Sequence, residues 1–334
     1  MNESLRIKLG AVTLVLLSVA AMIYGAINFQ QRSSFITADD GVAWIDSPGG
    51  VQAWQVAAGS PADAAGIKPG DRVLSMDDAA VGRATQVTQR LWKAGVWTQV
   101  VYRLERAGAP FEAKVITAPA EKPASIENYL RFVGLLYLFI GLFIFARRWN
   151  APRAVHFYVF CLVSFVLYTF QYSGKLNEFD WQIYWADAVA LLLQPAILLH
   201  FALVFPERQD SFALSESNRS LMSLLYLPAL LLGAARVAVV MRDGINGSIV
   251  TNVLQIIERG ELMYLALSLL LGLVIMTRAL RRVRSVTARR QLRWIVWGTA
   301  LGAVPFIFGY GLPWSLGFTP LRGFEYSAVL LGLV

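Results

Sequence analysis

Seven runs of roughly 17 to 23 mostly apolar residues punctuate this chain, each close to the length that crosses a bilayer as a helix. They fall at 9–29, 129–146, 153–172, 183–205, 220–241, 261–277 and 294–312. A further run begins near Phe324 and stops at Val334 after about 11 residues, half a bilayer core, so the chain is expected to continue. Of the 334 residues, 56% are hydrophobic and 16% charged, against about 25% charged in soluble domains. One aqueous core cannot absorb so much apolar surface. The expected fold class is an α-helical integral membrane bundle of about eight helices, the last truncated, with one α/β domain inserted outside the cytoplasm.

Basic residues give the orientation, because short cytoplasmic loops collect Lys and Arg. Alternate loops and ends carry Arg6 and Lys8; Arg147, Arg148 and Arg153; Arg208 and Arg219; and seven arginines between Arg278 and Arg293. The opposite set holds only Lys175, Arg242, Arg259 and Arg322. The first set is therefore read as cytoplasmic, and the first run as an uncleaved signal anchor. The net charge of +8 follows from the same bias, and no nucleic-acid partner is expected. The N-terminus then lies in the cytoplasm, the insert outside the membrane, and any continuation past Val334 enters the cytoplasm. The expected domains are 1–31, 32–122 and 123–334.

The insert reads as a small α/β unit. Residues 51–56 suit a strand, with Val51, Ala53 and Gln55 on one face. Ser60-Pro61 starts a short helix: Ser60 caps it, and Pro61 at its first position loses no needed hydrogen bond. Gly66 ends that helix, Lys68-Pro69-Gly70-Asp71 turns, and 72–76 is a strand. Residues 85–93 form a helix with Val87 and Leu91 four apart, ending at Gly95. Strands at 98–106 and 111–117 flank the loop 107–110. Residues 118–124 form a Pro-containing linker back to the membrane.

The stretch Gly59-Ser60-Pro61-Ala62-Asp63-Ala64-Ala65-Gly66-Ile67-Lys68-Pro69-Gly70-Asp71-Arg72-Val73-Leu74 closely resembles the core of bacterial PDZ domains of the kind found in HtrA-type proteases. The resemblance implies binding of an extended peptide or protein C-terminus as an added strand, its carboxylate held by backbone N–H groups. It places the groove at Gly41, Val42, Ala43 and Trp44 on one side and at Val87 and Leu91 on the other. The sequence departs from the usual loop, with Ala43 where a second glycine is common and Asp40 placed to repel a carboxylate. Peptide capture and pure scaffolding both remain open.

The segments 200–208 (HFALVFPER) and 289–305 (RRQLRWIVWGTALGAVP) resemble the multi-helix sensory region of PDZ-bearing bacterial sensor histidine kinases. That resemblance implies an input region of a two-component signalling protein, a homodimer, with its kinase part beyond this chain. The competing function is a membrane-anchored PDZ scaffold for envelope proteins, or an accessory of a membrane protease. No HExxH, Walker loop or G-x-S-x-G occurs, so no catalytic residue, metal or cofactor is expected. Within the bundle, His200, Asp187, Glu258 and Glu261 are candidate sensory groups, because ionisable residues are costly in the membrane unless they serve a purpose. Arg236 is expected to snorkel to water, and His156 to lie at the interface. Cys161 is expected to be a buried small hydrophobe. The arginines from Arg278 to Arg293 read as a basic amphipathic loop contacting lipid headgroups. Pro195, Pro228, Pro305 and Pro313 are expected to mark bends or breaks.

Overall fold

The computed structural model describes residues 3–34, 36–120, 126–148, 154–173, 177–204, 222–241, 247–283, 285–320, 323–324 and 327–328. The run beginning near Phe324 lies largely outside them. Helix α1 (Glu3–Ser34) leads into strands β1 (Ala38–Asp39), β2 (Val42–Ser47) and β3 (Gly50–Val56). There follow α2 (Pro61–Ala64), β4 (Arg72–Met76), β5 (Ala79–Ala80), α3 (Ala84–Ala94), β6 (Gln99–Arg106), β7 (Ala109–Ile116) and β8 (Ala118–Pro119). The remaining helices are α4 (Ile126–Arg148), α5 (Ala154–Thr169), α6 (Glu178–Val204), α7 (Leu227–Val240), α8 (Gly247–Arg282), α9 (Val286–Phe306) and α10 (Leu312–Ser315).

The inserted unit is one antiparallel sheet of order β2-β3-β4-β6-β7, with β5 paired to β4. Its hairpins have local causes. Asp77-Asp78 and Ala107-Gly108 each adopt positive φ at both central positions, the two-residue turn whose twist suits paired strands. The second turn is tighter than the sequence suggested, since Ala109 and Pro110 already belong to β7. Strand β2, absent from the sequence reading, pairs along β3 through the Pro48-Gly49 turn and ends the sheet as an edge. Ser60 caps α2 as expected, its Oγ accepting from Asp63 N. Val51, Ala53, Val73, Met76, Val100, Tyr102, Leu104, Ala113 and Val115 form the core against α2 and α3.

Both chain ends of the unit meet at one place. β1 pairs with β8, so the expected linker begins as a strand. Nearby, Arg32 Nη2 at the end of α1 donates to both carboxylate oxygens of Glu127 at the start of α4, at 2.9 and 2.8 Å.

Among the described residues, six helical segments are long and apolar enough to cross a membrane: 9–34, 127–147, 178–203, 222–240, 252–282 and 286–315. The expected run at 153–172 forms a shorter apolar helix, Ala154–Thr169. α8 is far longer than its apolar run suggested, 36 residues or about 54 Å. The basic segment after it is mostly helical rather than a loop: α8 ends at Arg282, and Ser285 caps α9 by accepting from Ala288 N. Pro195 sits inside α6, and Pro305 precedes a π-helical turn at Ile307–Gly311. Pro228 and Pro313 instead begin α7 and α10, where a missing N–H costs nothing.

α4 and α5 approach through glycines. A Cβ at Gly141 would lie 2.7 Å from Cys161 Cβ, and one at Gly134 would lie 2.5 Å from Thr169 Oγ1 and 3.2 Å from the Phe165 carbonyl. Cys161 is fully buried at this seam. Gly134→Ala and Gly141→Ala are each expected to cost about 1–3 kcal/mol by overpacking. Gly10→Ala, with nothing within 4 Å, should be neutral. Thermal denaturation in detergent micelles checks this, and equal midpoints for all three would show the seam to be loose.

Candidate peptide groove and the intramembrane polar clusters

Strand β2 and helix α3 flank the groove. Asp46 of β2 fixes their spacing by accepting from Ala84 N, the first N–H of α3, at 2.6 Å. Gln86 Oε1 accepts from Gly82 N at 2.8 Å and holds the approach to the helix. Val42 and Trp44 of β2 are half-buried and pack on the core, while Ala43 is exposed. Val87 and Leu91, placed at the groove by resemblance, turn into the core at 0 and 5% exposure. The accessible wall of α3 is therefore formed by their neighbours.

The loop before β2 is organised by its own acids. Asp39 Oδ1 accepts from Gly41 N at 2.9 Å, and Asp40 Oδ1 accepts from Val42 N at 3.0 Å. Asp40 Oδ2 accepts from Trp44 Nε1 at 3.0 Å and from the buried Tyr102 hydroxyl at 2.7 Å. The Asp40 side chain is 1% exposed and faces the core rather than the groove. Burial pushes its carboxyl above the ordinary range, against the pull of the bonds from Tyr102, Trp44 and Val42. Burial beside Asp40 likewise pushes the Tyr102 phenol well up. Trp44 stacks on Tyr102 with ring centroids 5.7 Å apart. Gly41 has φ +81, and a Cβ there would strike Ser60, so this position needs glycine.

The ionisable candidates of the helix bundle separate into two clusters. Toward one end, Arg236 on α7 meets Glu261 on α8 in a bidentate pair at 2.8 and 2.6 Å, and donates to the Tyr184 hydroxyl on α6 at 2.7 Å. Arg236 is 7% exposed and does not snorkel: its partner is inside the bundle. Glu258 lies 3.9 Å from Arg236 at the rim, and Asp187 is within electrostatic reach of both Arg236 and Glu261. His200 lies 13 residues beyond Asp187 on α6, about 20 Å along the axis. Its Nδ1 is 3.0 Å from the Tyr226 hydroxyl, and its ring is 4.4 Å from that of His156. His156 therefore packs on His200. Between the clusters, Gln194 bonds the Ser164 hydroxyl and, with Pro195, lines a largely apolar cavity of about 260 Å³. Among the described residues, no three His, Cys, Asp or Glu side chains gather to hold a metal ion.

Residues 30–117 match the PDZ domain family, in agreement with the strand order and the α2 cap. The inserted unit is a PDZ domain. Among solved structures, the chain is similar to the serine endoprotease from Yersinia pestis, at 19% identity and a TM-score of 0.24, covering 26% of this chain and 30% of that one. It is also similar to the HtrA-type protease AlgW with decapeptide, at 17% identity and a TM-score of 0.25, covering 26% of this chain and 31% of that one. The chain spans about a third of the length of each. No curated protein matches it.

Proposed function

We propose that this chain is the membrane input region of a signalling protein. Its PDZ domain captures extended peptide on the outer face of the bacterial plasma membrane, and its helix bundle passes occupancy inward to a histidine-kinase output. The orientation rests on the excess of basic residues in alternate loops. The kinase output rests on the resemblance of segments 200–208 and 289–305, and with it goes a homodimer.

One observation carries the coupling: helix α8 packs against β2. β2 is the edge strand, the place where a peptide would add to the sheet. From Arg259 onward α8 is engaged in the bundle, with Gly260 against Leu232, Glu261 on Arg236 and Arg259 beside Gly317. Its earlier turns are left to reach the PDZ domain. A helix of about 54 Å exceeds the hydrocarbon core of about 30 Å by enough to do this. The same rod runs on to Arg282, so a shift imposed at β2 is carried through the membrane.

The test uses the full chain in lipid nanodiscs and an array of random decapeptides with free and amidated C-termini. Some peptides should bind, and Val42→Asp should abolish binding while the PDZ domain stays folded, the half-buried position costing it some stability. Spin labels at Ala43 and Asn252, both exposed, should then report a changed distance when a selected peptide is added. Binding with a fixed distance supports instead the membrane-anchored scaffold or protease accessory. No binding by any peptide removes the capture reading altogether.

A further inference from the structure

A PDZ loop recognises a chain end by pointing unoccupied backbone N–H groups at a terminal carboxylate. Such groups attract an anion only while their hydrogen-bonding capacity is unspent. In this loop two of the donors are spent internally. Gly41 N–H is taken by the Asp39 carboxylate and Val42 N–H by the Asp40 carboxylate, at 2.9 and 3.0 Å. Neither acid is placed by chance. Asp39 sits in β1, paired with Ala118 of β8. Asp40 is locked by Trp44 and Tyr102, and its own carbonyl accepts from Ala62 N at the start of α2. A terminal carboxylate entering here would have to displace an aspartate from its N–H and then stand beside the exposed negative charge of Asp39. The edge of β2 is a different matter, since strand addition uses alternate main-chain groups and is indifferent to where the ligand ends.

Resting on the peptide-capture reading above, we infer that this PDZ domain takes internal extended segments of its partners rather than their C-termini, because Asp39 and Asp40 already occupy the Gly41 and Val42 N–H groups that a terminal carboxylate would need. The ligand class is an extended stretch within a longer polypeptide, such as an exposed edge strand or an unfolded region of an envelope protein.

The experiment compares selected decapeptides as free acids and as carboxamides on the full chain in nanodiscs. Wild-type protein should bind the two forms within about threefold of each other, whereas a loop that reads chain ends favours the free acid by tenfold or more. Two substitutions at Asp39 isolate the cause. Asp39→Ala frees Gly41 N–H and removes the charge, and should raise affinity for the free acid alone. Asp39→Asn removes the charge but keeps an oxygen on Gly41 N–H, and should gain much less. The position is exposed, so both variants should fold. A tenfold preference for the free acid in the wild-type protein overturns the inference while leaving peptide capture standing. Equal gains from Asp39→Ala and Asp39→Asn also overturn it, by showing that charge and not donor occupancy sets the preference. Failure of both peptide forms to bind overturns the capture reading itself.

Discussion

Arg236→Met should destabilise the helix bundle by about 3–4 kcal/mol, the largest loss expected from any single substitution in the bundle. The guanidinium joins three helices, reaching Glu261 on α8 and Tyr184 on α6 from α7. Glu261 is 2% exposed, so removing Arg236 strands a carboxylate with little access to water. Breaking a buried pair from one side generally costs about 3–5 kcal/mol. Glu261 has one escape, which is to take up a proton. For an ordinary glutamate at pH 7 that costs about 3.7 kcal/mol, which sets the upper end of the loss. Arg236→Met combined with Glu261→Leu should recover most of the stability, because the pair's desolvation cost disappears with it. Equilibrium unfolding in mixed micelles measures both variants. A single variant as stable as wild type would mean that Glu261 has another partner in the bundle.

How much of this was legible beforehand follows from the range of each interaction. The α2 cap, the turn at Lys68-Pro69-Gly70-Asp71, strand β4 and the end of α3 at Gly95 were readable because each depends on residues within a few positions. The long apolar helices were readable from length and composition alone, although the run at 153–172 forms only the shorter Ala154–Thr169. Strand β2 was missed although Ser47-Pro48-Gly49-Gly50 between two apolar runs offered a turn signal. Its first residues, Val42–Trp44, coincide with the segment that the family resemblance assigns to a loop. Asp40 was placed as a repulsive charge in the groove, yet it is held in the core by Tyr102, 62 positions away, which no local pattern announces. Arg236 was expected at water for the same reason: its partners lie 25 and 52 positions distant on other helices. His156 and His200 meet only because α5 and α6 run side by side. The extra length of α8 was hidden by the polar residues Asn252, Gln255, Glu258 and Arg259, which break the apolar run but not the helix.

Asp40→Ala should cost the PDZ domain about 3 kcal/mol, because three donors lose their acceptor at once: Val42 N–H, Trp44 Nε1 and the buried Tyr102 hydroxyl. Amides of β3 and β4 in the full chain should then exchange with solvent roughly 100-fold faster than in wild type. The pH dependence of that gap identifies its origin. Burial holds the Asp40 carboxyl above its ordinary value, so the folded domain binds this proton more tightly than the unfolded chain. The contribution of Asp40 is then greatest below the unfolded value of about 3.9 and declines as pH rises through the folded one. The gap between wild type and Asp40→Ala should accordingly narrow from pH 4 to pH 8. Asp71 provides the opposite case within the same domain. Its carboxyl is also buried, but Arg106 bonds it at 2.6 and 2.7 Å and Lys68 N–H at 2.8 Å, and these outweigh burial to hold it below the ordinary value. Its contribution is full above about 3.9 and is lost as pH falls toward the folded value, so the gap for Asp71→Ala should widen over the same rise in pH. Two buried aspartates in one fold should thus give slopes of opposite sign. Parallel slopes would show that the three donors outweigh burial at Asp40, as Arg106 and Lys68 do at Asp71.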